Sequence, residues 1–476
     1  MNKQAYFDKD SIFNGSHLDD EAKGIDILLQ DEISKNNDKI IVLDDDPTGV
    51  QTVHNVSVFT DWSEESIRNG FKEKNKMFFI LTNSRGFSEK ETIKAHSEIG
   101  KIIEEVAMKE NKSYQIISRS DSTLRGHYPL ETETIRKAIE ENTNIIIDGE
   151  IIIPFFKEGG RFTINDVHWI EDNGRLIPSG ETEFAKDTTF GYKNSNLKLW
   201  VEEKTLGRYK SDDIISISLD MIRNQGYNEI AKVLVGAKQF QKIIVNAFDY
   251  PDLIIFTIGL ILAEQQGKKF LYRTAASFVK VRGGVSDREF LTKEELVKYN
   301  NKGGLIIVGS HVERTTRQLN TAMELEHLKT VELSVPKVIS NEAEDEISRV
   351  SNMVENEISN GNTILVYTSR SVVKVSQKVS EKNLEVSIKV SEALVNIVKS
   401  LNIAPSFIIV KGGITSSDIG TKGLGVKRAL VAGQIKPGIP VWITDKESKF
   451  SEIPYIIFPG NVGNDDTLKE IIDELQ

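Results

Sequence analysis

Residues Lys39 to Val56 read KIIVLDDDPTGVQTVHNV, and the fold follows from how this stretch is read. Four aliphatic residues, Ile40 to Leu43, suit a strand covered on both faces, as in a parallel sheet. Asp-Pro-Thr-Gly then turns the chain sharply at the strand end. Three carboxylates at such an edge repel one another unless a cation, a basic side chain or the hydroxyls of a ligand engage them. The plain alternative is a solvated acidic turn. Clefts at the carboxyl ends of parallel strands are where α/β proteins bind ligands.

Outward from this stretch the same grammar repeats. KMFFILTNSRG (76–86), SYQIISRSDSTLRG (113–126) and NIIIDGE (144–150) are each an apolar run followed by polar, glycine-containing sequence. A helical lead-in is expected over Asp19 to Lys35. SEKETIKAHSEIGKIIEEVAMKE reads as a helix capped by Ser88. Such alternation implies a doubly wound parallel sheet whose polar strand ends converge on one edge. From Ile151 to Gly207 the pattern loosens into a Gly-rich, aromatic insertion, the kind of segment that is either a functional lid or disordered, and its aromatics favour order. LIIFTIGLILA (253–263) is too short to span a bilayer and reads as a buried helix.

The charged, glycine-flanked segment Arg282 to Gly304 separates two domains, 1–295 and 296–476. Beyond it the grammar restarts with GLIIVGSHVERTTRQL, NTILVYTSR, SFIIVKGGITSSDIGTKGLGVKRAL and YIIFPGNVGNDDTLKEIIDEL. The fold class expected is therefore α/β with two domains, each a mainly parallel sheet flanked by helices. A chain of 476 residues fits two or three domains, and about 170 residues of the second lie beyond Gly304.

Composition narrows the function. A net charge of -11 argues against a general nucleic-acid or anionic-membrane binder. Cys is absent, which excludes disulfides, thiolate metal sites and cysteine nucleophiles and points to the cytoplasm. The polar, acidic N-terminus has no apolar core of the kind a signal peptide needs. The seven histidines show no H-x-x-x-H pair, and G-x-S-x-G, the P-loop and G-x-G-x-x-G motifs are missing. His127 stays outside the catalytic set.

Two constellations carry chemistry. In the second half, Ser310, the run Gly412, Gly413, Ile414 and Thr415, and the PGNVG loop with Gly460 and Gly463 lie at strand ends that lead into helices. Glycines let backbone N–H groups approach a ligand, and helix N-termini offer unpaired donors, so the three loops together describe a polyphosphate cradle. A short helix is expected over Gly425 to Val431, and Asp465 or Asp466 is placed to cap the last helix. In the first half, Asp45, Asp46 and Asp121 stand with Arg85, Arg119, Ser122, Thr123 and Arg125. Guanidinium forks suit a carboxylate or phosphate, and aspartates with small hydroxyls suit a polyol, so an acidic polyol satisfies both sets. The alternative is that Arg119 and Arg125 merely pair with Asp45 or Asp121.

Taken in order, Asp45-Asp46-Pro47-Thr48-Gly49, Asp121-Ser122-Thr123-Leu124-Arg125-Gly126, Gly412-Gly413-Ile414-Thr415-Ser416 and Pro459-Gly460-Asn461-Val462-Gly463 resemble the motifs of the four-carbon acid sugar kinases, which include threonate, erythronate and 3-oxo-tetronate kinases. The resemblance runs from about Ile40 to Leu468. It implies an N-terminal domain that binds the acid sugar, a C-terminal domain that binds ATP, and an active site in the cleft between them. Ser310, Gly412 to Thr415, Gly460 and Gly463 fall where the family places its ATP contacts. The DDxTG aspartates and the DSTLRG segment fall in its sugar-acid site. Two positions depart from the pattern: Ile414 stands where Glu is common, and Phe458-Pro459 precede a glycine loop that often follows Lys.

The chemistry expected is transfer of the ATP γ-phosphoryl group to a terminal hydroxyl, with Mg²⁺ neutralising charge and Asp45 or Asp46, then Asp121, as candidate base. Arg85, Arg119 and Arg125 are candidates for holding the substrate carboxylate or the moving phosphate, and no metal ligands are assigned. A homodimer is the assembly considered. The rival readings are an NAD(P)-dependent hydroxy-acid oxidoreductase and a non-catalytic sugar-acid-binding regulator.

Overall fold

The computed structural model describes residues 7–8, 18–172, 174–298, 301–310, 312–370, 380–460 and 462–476, with side chains described in these ranges except at 7–8, 18–23 and 380–385. The chain forms two compact units. The first comprises Met1–Val53 and Asp61–Asp287, and the second comprises His54–Thr60 and Arg288–Gln476.

The first unit contains, in chain order, β1 (Phe7–Asp8) and β2 (Lys39–Asp44); the next strand, β3 (Val56–Phe59), belongs to the second unit. The first unit continues with β4 (Met77–Leu81), β5 (Tyr114–Arg119), β6 (Gly149–Ile153), β7 (Arg161–Ile164), β8 (Val167–Asp172), β9 (Arg175–Pro178), β10 (Ile215–Ile217), β11 (Gln241–Val245) and β12 (Phe270–Thr274). Seven of these form a parallel sheet in the order β10-β11-β6-β12-β5-β2-β4. β2 lies inside this sheet, with Ile40 to Leu43 wholly buried, which explains why its apolar run does not alternate. Each such aliphatic side chain contributes about 1.5–3 kcal/mol by leaving water.

The helix Leu18–Lys35 precedes β2 as expected, and Ser88 caps Glu89–Glu110 in a reciprocal capping box with Glu91. Leu253 to Ala263 lie in the buried helix Tyr250–Gln265, and no helix among the described residues is long and apolar enough to cross a membrane. The loose segment after Ile151 is ordered, and part of it forms the antiparallel sheet β1-β9-β8-β7, with Phe155, Phe162 and Trp169 in its core. One strand is displaced from its expected place. Ile145 to Ile147 lie outside the sheet, and the strand is instead GEIII, because Ile151 to Ile153 fill the slot between β11 and β12.

The second unit adds to β3 the strands β13 (Leu305–Val308), β14 (Lys329–Leu333), β15 (Ile364–Thr368), β16 (Ile408–Lys411), β17 (Arg428–Lys436), β18 (Ile439–Thr444) and β19 (Pro454–Phe458). Their order is β3-β17-β18-β19-β16-β13-β15-β14. The run β19-β16-β13-β15-β14 is parallel, while β3, β17, β18 and β19 pair antiparallel. The helix expected over Gly425 to Val431 is therefore replaced by the start of β17. Burial there alternates, with Ala429 and Val431 inside and Leu430 outside, which is the period of a strand.

Candidate active site

In the first unit the geometry starts from register. Asp44 closes β2 opposite Leu81 of β4 and Arg119 of β5, so three parallel strands end side by side. The loops that follow are knitted by backbone hydrogen bonds: Thr82 N donates to Asp44 O at 2.9 Å and Asp45 N to Arg119 O at 3.3 Å. Gly49 folds back over Asp44, where a Cβ would stand 2.0 Å from the carboxylate, so the turn admits no larger residue without rearrangement.

The expected acids and arginines meet at this edge. Arg85 clamps Asp45 through Nε at 3.1 Å and Nη2 at 2.7 Å, and reaches Asp46 through Nη1 at 3.2 Å. Arg119 Nη1 stands 3.3 Å from Asp44 and 3.6 Å from Asp45. Asp46 also accepts from Thr48 N at 2.8 Å and Thr48 Oγ1 at 2.6 Å. In the DSTLRG loop Asp121 accepts from Arg125 Nε at 2.7 Å and from Thr123 Oγ1. Ser122 offers its carbonyl to His168 Nε2 at 2.8 Å, and Tyr192 Oη donates to the Thr123 carbonyl at 2.8 Å. Gly126, at φ 109°, brings the loop past Asp45: a Cβ there would lie 3.5 Å from its carboxylate.

Burial and charge separate the four aspartates. Burial pushes Asp44 up to about 8, so it is largely protonated at neutral pH. Asp45 is also raised by burial, against the pull of Arg85 and Arg119. For Asp46 and Asp121 burial pushes upward, but Arg85 and hydrogen bonds outweigh it. Asp46 ends below the ordinary carboxylate value and Asp121 far below it. The ion-pair alternative thus accounts for much of the arginine set.

Several neighbours were not singled out from sequence. Glu131 accepts from Ser84 Oγ at 2.6 Å and Ser120 Oγ at 3.4 Å, joining the loops after β4 and β5. Arg273, on β12, donates to the Arg125 carbonyl at 3.0 Å. Arg161, on β7, places its guanidinium 5.9 Å from the Phe184 ring that also takes Arg125 at 5.1 Å. These residues come from distant elements, and only topology gathers them. His127 contacts the Phe87 carbonyl at 2.9 Å and packs edge-on against Phe190.

In the second unit β13, β16 and β19 end in register, Val308 beside Lys411 and Lys411 beside Phe458, so their loops leave one edge. Ser310, Gly412, Thr415 and Gly460 are brought together. A Cβ on Gly412 would lie 3.2 Å from Ser310 Cβ and 3.4 Å from Thr415 Oγ1, and one on Gly460 would lie 3.3 Å from Ser310 Oγ. Gly412 adopts φ 123°, and Gly413 opens the helix Gly413–Asp418 directly. Thr315, in the helix Glu313–Ala322, donates to the Gly460 carbonyl at 3.1 Å. Ile414 projects outward, 79% exposed. Gly463, at φ 80°, packs against Thr467. Asn461 and His311 lie outside the described residues. The last helix, Thr467–Leu475, begins at Asp466 with no side-chain cap from either aspartate; Asn464 Oδ1 accepts from Asp466 N at 3.0 Å and Thr467 Oγ1 at 2.8 Å instead.

Beneath the loops lies Lys411, wholly buried, donating to the Pro459 carbonyl at 2.7 Å and lying 3.5 Å from the centre of the Phe458 ring. Burial, with Arg314 nearby, lowers it to about 6. This lysine ties the KGGITS loop to the PGNVG loop.

Comparison with known proteins matches both units. A sugar-binding N-terminal domain model matches residues 40–282, and a nucleotide-binding C-terminal domain model matches 305–468. The D-threonate kinase of Salmonella typhimurium (strain LT2) is 23% identical over 368 residues, covering 74% of this chain and 78% of that protein. Two solved structures share the fold. Haemophilus influenzae protein HI1011 has a TM-score of 0.63 at 18% identity, covering 91% of this chain and 99% of that one. A Salmonella typhimurium LT2 chain described as a tRNA synthase has a TM-score of 0.67 at 16% identity, covering 92% and 100%. With the acid- and arginine-bearing strand ends inside the first matched domain and the glycine loops inside the second, the chain belongs to the four-carbon acid sugar kinase family.

Proposed function

We propose that this protein is a cytoplasmic, ATP-dependent kinase that phosphorylates a terminal hydroxyl of a short sugar acid, a four-carbon aldonate such as threonate, erythronate or 3-oxo-tetronate. The observation that supports this most is the pairing, on one chain, of a carboxylate and guanidinium cluster at one sheet edge with a cradle of glycine loops at another. The likeness to D-threonate kinase supports the same reading.

The cradle fits a polyphosphate. A side chain on Gly412 or Gly460 would crowd Ser310, and the Ser310, Thr315 and Thr415 hydroxyls stand among them. Ser310, Gly412 to Thr415, Gly460 and Gly463 would hold the nucleotide through backbone N–H groups and hydroxyls. Bound there, it supplies the γ-phosphoryl group for in-line transfer. Mg²⁺ accompanying the nucleotide would be held mainly by its phosphates, and no step is assigned to it.

Asp45 is the base. Burial raises its basicity, whereas Asp121 is held so far down that it is a poor proton acceptor. Asp46 and Asp121 accept hydrogen bonds from substrate hydroxyls, and Arg85 fixes Asp45 and Asp46 in position. An ADP-release screen over C4 to C6 sugar acids tests the reading. Turnover of at least one acid is expected, with Asp45→Asn lowering kcat by about 10²–10⁴-fold. No turnover with any acid would sink the kinase, and an unaffected Asp45→Asn would remove the base.

A further inference from the structure

The arginines of the first half-site are not equally free. Arg85 is engaged by Asp45 and Asp46, Arg119 lies 3.6 Å from Asp45 and 3.3 Å from the protonated Asp44, and Arg125 is engaged by Asp121, with Asp187 at 3.8 Å. A guanidinium already engaged by a protein carboxylate clamps a ligand carboxylate only by loosening that contact. Two further arginines hold no carboxylate in any ion pair among the described residues. Arg273 is 1% exposed, packed 5.1 Å from the Trp200 ring and tied to the Arg125 carbonyl, so it is sealed beneath the DSTLRG loop. Arg161 differs. It is only half-buried; its Nε, like Nε and Nη1 of Arg273, is buried without a hydrogen-bond partner, but Arg161 alone of the two reaches toward the surface.

The backbone holds Arg161 firmly. Its N–H donates to the Phe156 carbonyl at 2.9 Å, its carbonyl accepts from Phe156 N at 3.0 Å, and it pairs with Ile170 across β8. Its guanidinium shares the Phe184 ring with Arg125. Burial, first, and the charge of Arg125 lower its proton affinity, while Asp121 and Glu171 raise it; the net direction is down.

We infer that Arg161, carried by the antiparallel sheet outside the parallel core, is the residue that binds the carboxylate of the acceptor and makes this site select an acid over a neutral polyol. The inference rests on the acceptor half of the kinase reading and differs from the expectation that Arg85, Arg119 or Arg125 holds the substrate carboxylate or the moving phosphate. Those three instead organise the aspartates that handle hydroxyls.

The test compares threonate or another acid turned over in the screen with its neutral polyol, threitol for threonate, in wild type, Arg161→Gln and Arg161→Lys. The expected result for Arg161→Gln is an acid KM about 10²-fold higher. Its kcat should change less, and its KM for polyol and for ATP should stay near wild type; Arg161→Lys should recover part of the acid affinity. Thermal melting checks that the variants fold. An unchanged acid KM, or equal losses on acid and polyol, would overturn the inference while leaving the kinase standing. Failure of wild type to turn over any acid would overturn the kinase instead. Protection of melting by sugar acids then decides on Arg161: loss of protection in Arg161→Gln supports it, and equal or absent protection in both proteins refutes it.

Discussion

Lys411 is a buried amine that donates to the Pro459 carbonyl rather than to a carboxylate, and this gives it a pH signature. The folded protein holds it neutral above about pH 6, whereas its ordinary value is 10.5. Between those limits the unfolded chain binds the extra proton, so raising the pH through this window stabilises the fold. Lys411→Met should therefore flatten the rise of melting temperature from pH 6 to 9, with its largest gain over wild type at the acid end. Melting curves across that range check the slope. Gly49 makes a steric prediction: Gly49→Ala sets a methyl against the Asp44 carboxylate and should cost about 1–3 kcal/mol in urea unfolding. Neither property could be read from the letters. K-G-G looks like an exposed turn, and only the register of β16 with β19 buries the amine. The aspartates and the DSTLRG arginine were legible because they follow apolar runs, but which guanidinium is engaged by which carboxylate depends on three loops at once.

At the level of elements, local signals were read where chemistry is local. Ser88, with Glu91 three residues on, announces the helix Glu89–Glu110, and Ser88→Ala should lower stability by about 1 kcal/mol, measured by denaturant unfolding. Strands were harder where two candidates compete. Ile145 to Ile147 and Ile151 to Ile153 have the same propensity; the second triplet wins because β11 and β12 flank it on both sides, while Ile146 is 69% exposed. The hairpin of β17 and β18 has no clear signal in the letters, because Ala429 to Ala432 form a continuous apolar run even though burial alternates along the strand. The antiparallel sheet of β7 to β9 was visible only as an ordered, aromatic insertion, and so the position of Arg161 was not visible at all.

For the molecule as a whole, the division into units does not follow the chain. β3, made of Val56–Phe59, pairs with β17 and lies in the unit otherwise formed by Arg288–Gln476. A fragment 288–476 would expose Arg428 to Val431 of β17, the stretch that β3 covers, as an edge, a template for pairing with other chains. That fragment should aggregate, whereas one carrying residues 54–60 ahead of 288 through a Gly/Ser linker should be monomeric and unfold cooperatively. Size-exclusion chromatography and circular dichroism separate these outcomes, and a soluble, cooperative 288–476 would refute the dependence on β3.

β3 also sets a timetable for synthesis. The ribosome completes this strand on the order of ten seconds or more before it reaches Lys436, at about 5–20 residues per second. Through that interval Val56–Phe59 has no β17 to receive its hydrogen bonds, although the Asp45–Gly49 turn just upstream can already be laid down against β4 and β5. The acid- and arginine-bearing strand ends of the first unit can thus be shaped while the chain is still emerging, and the sheet of the second unit is finished only when the late strand β17 returns to the early β3.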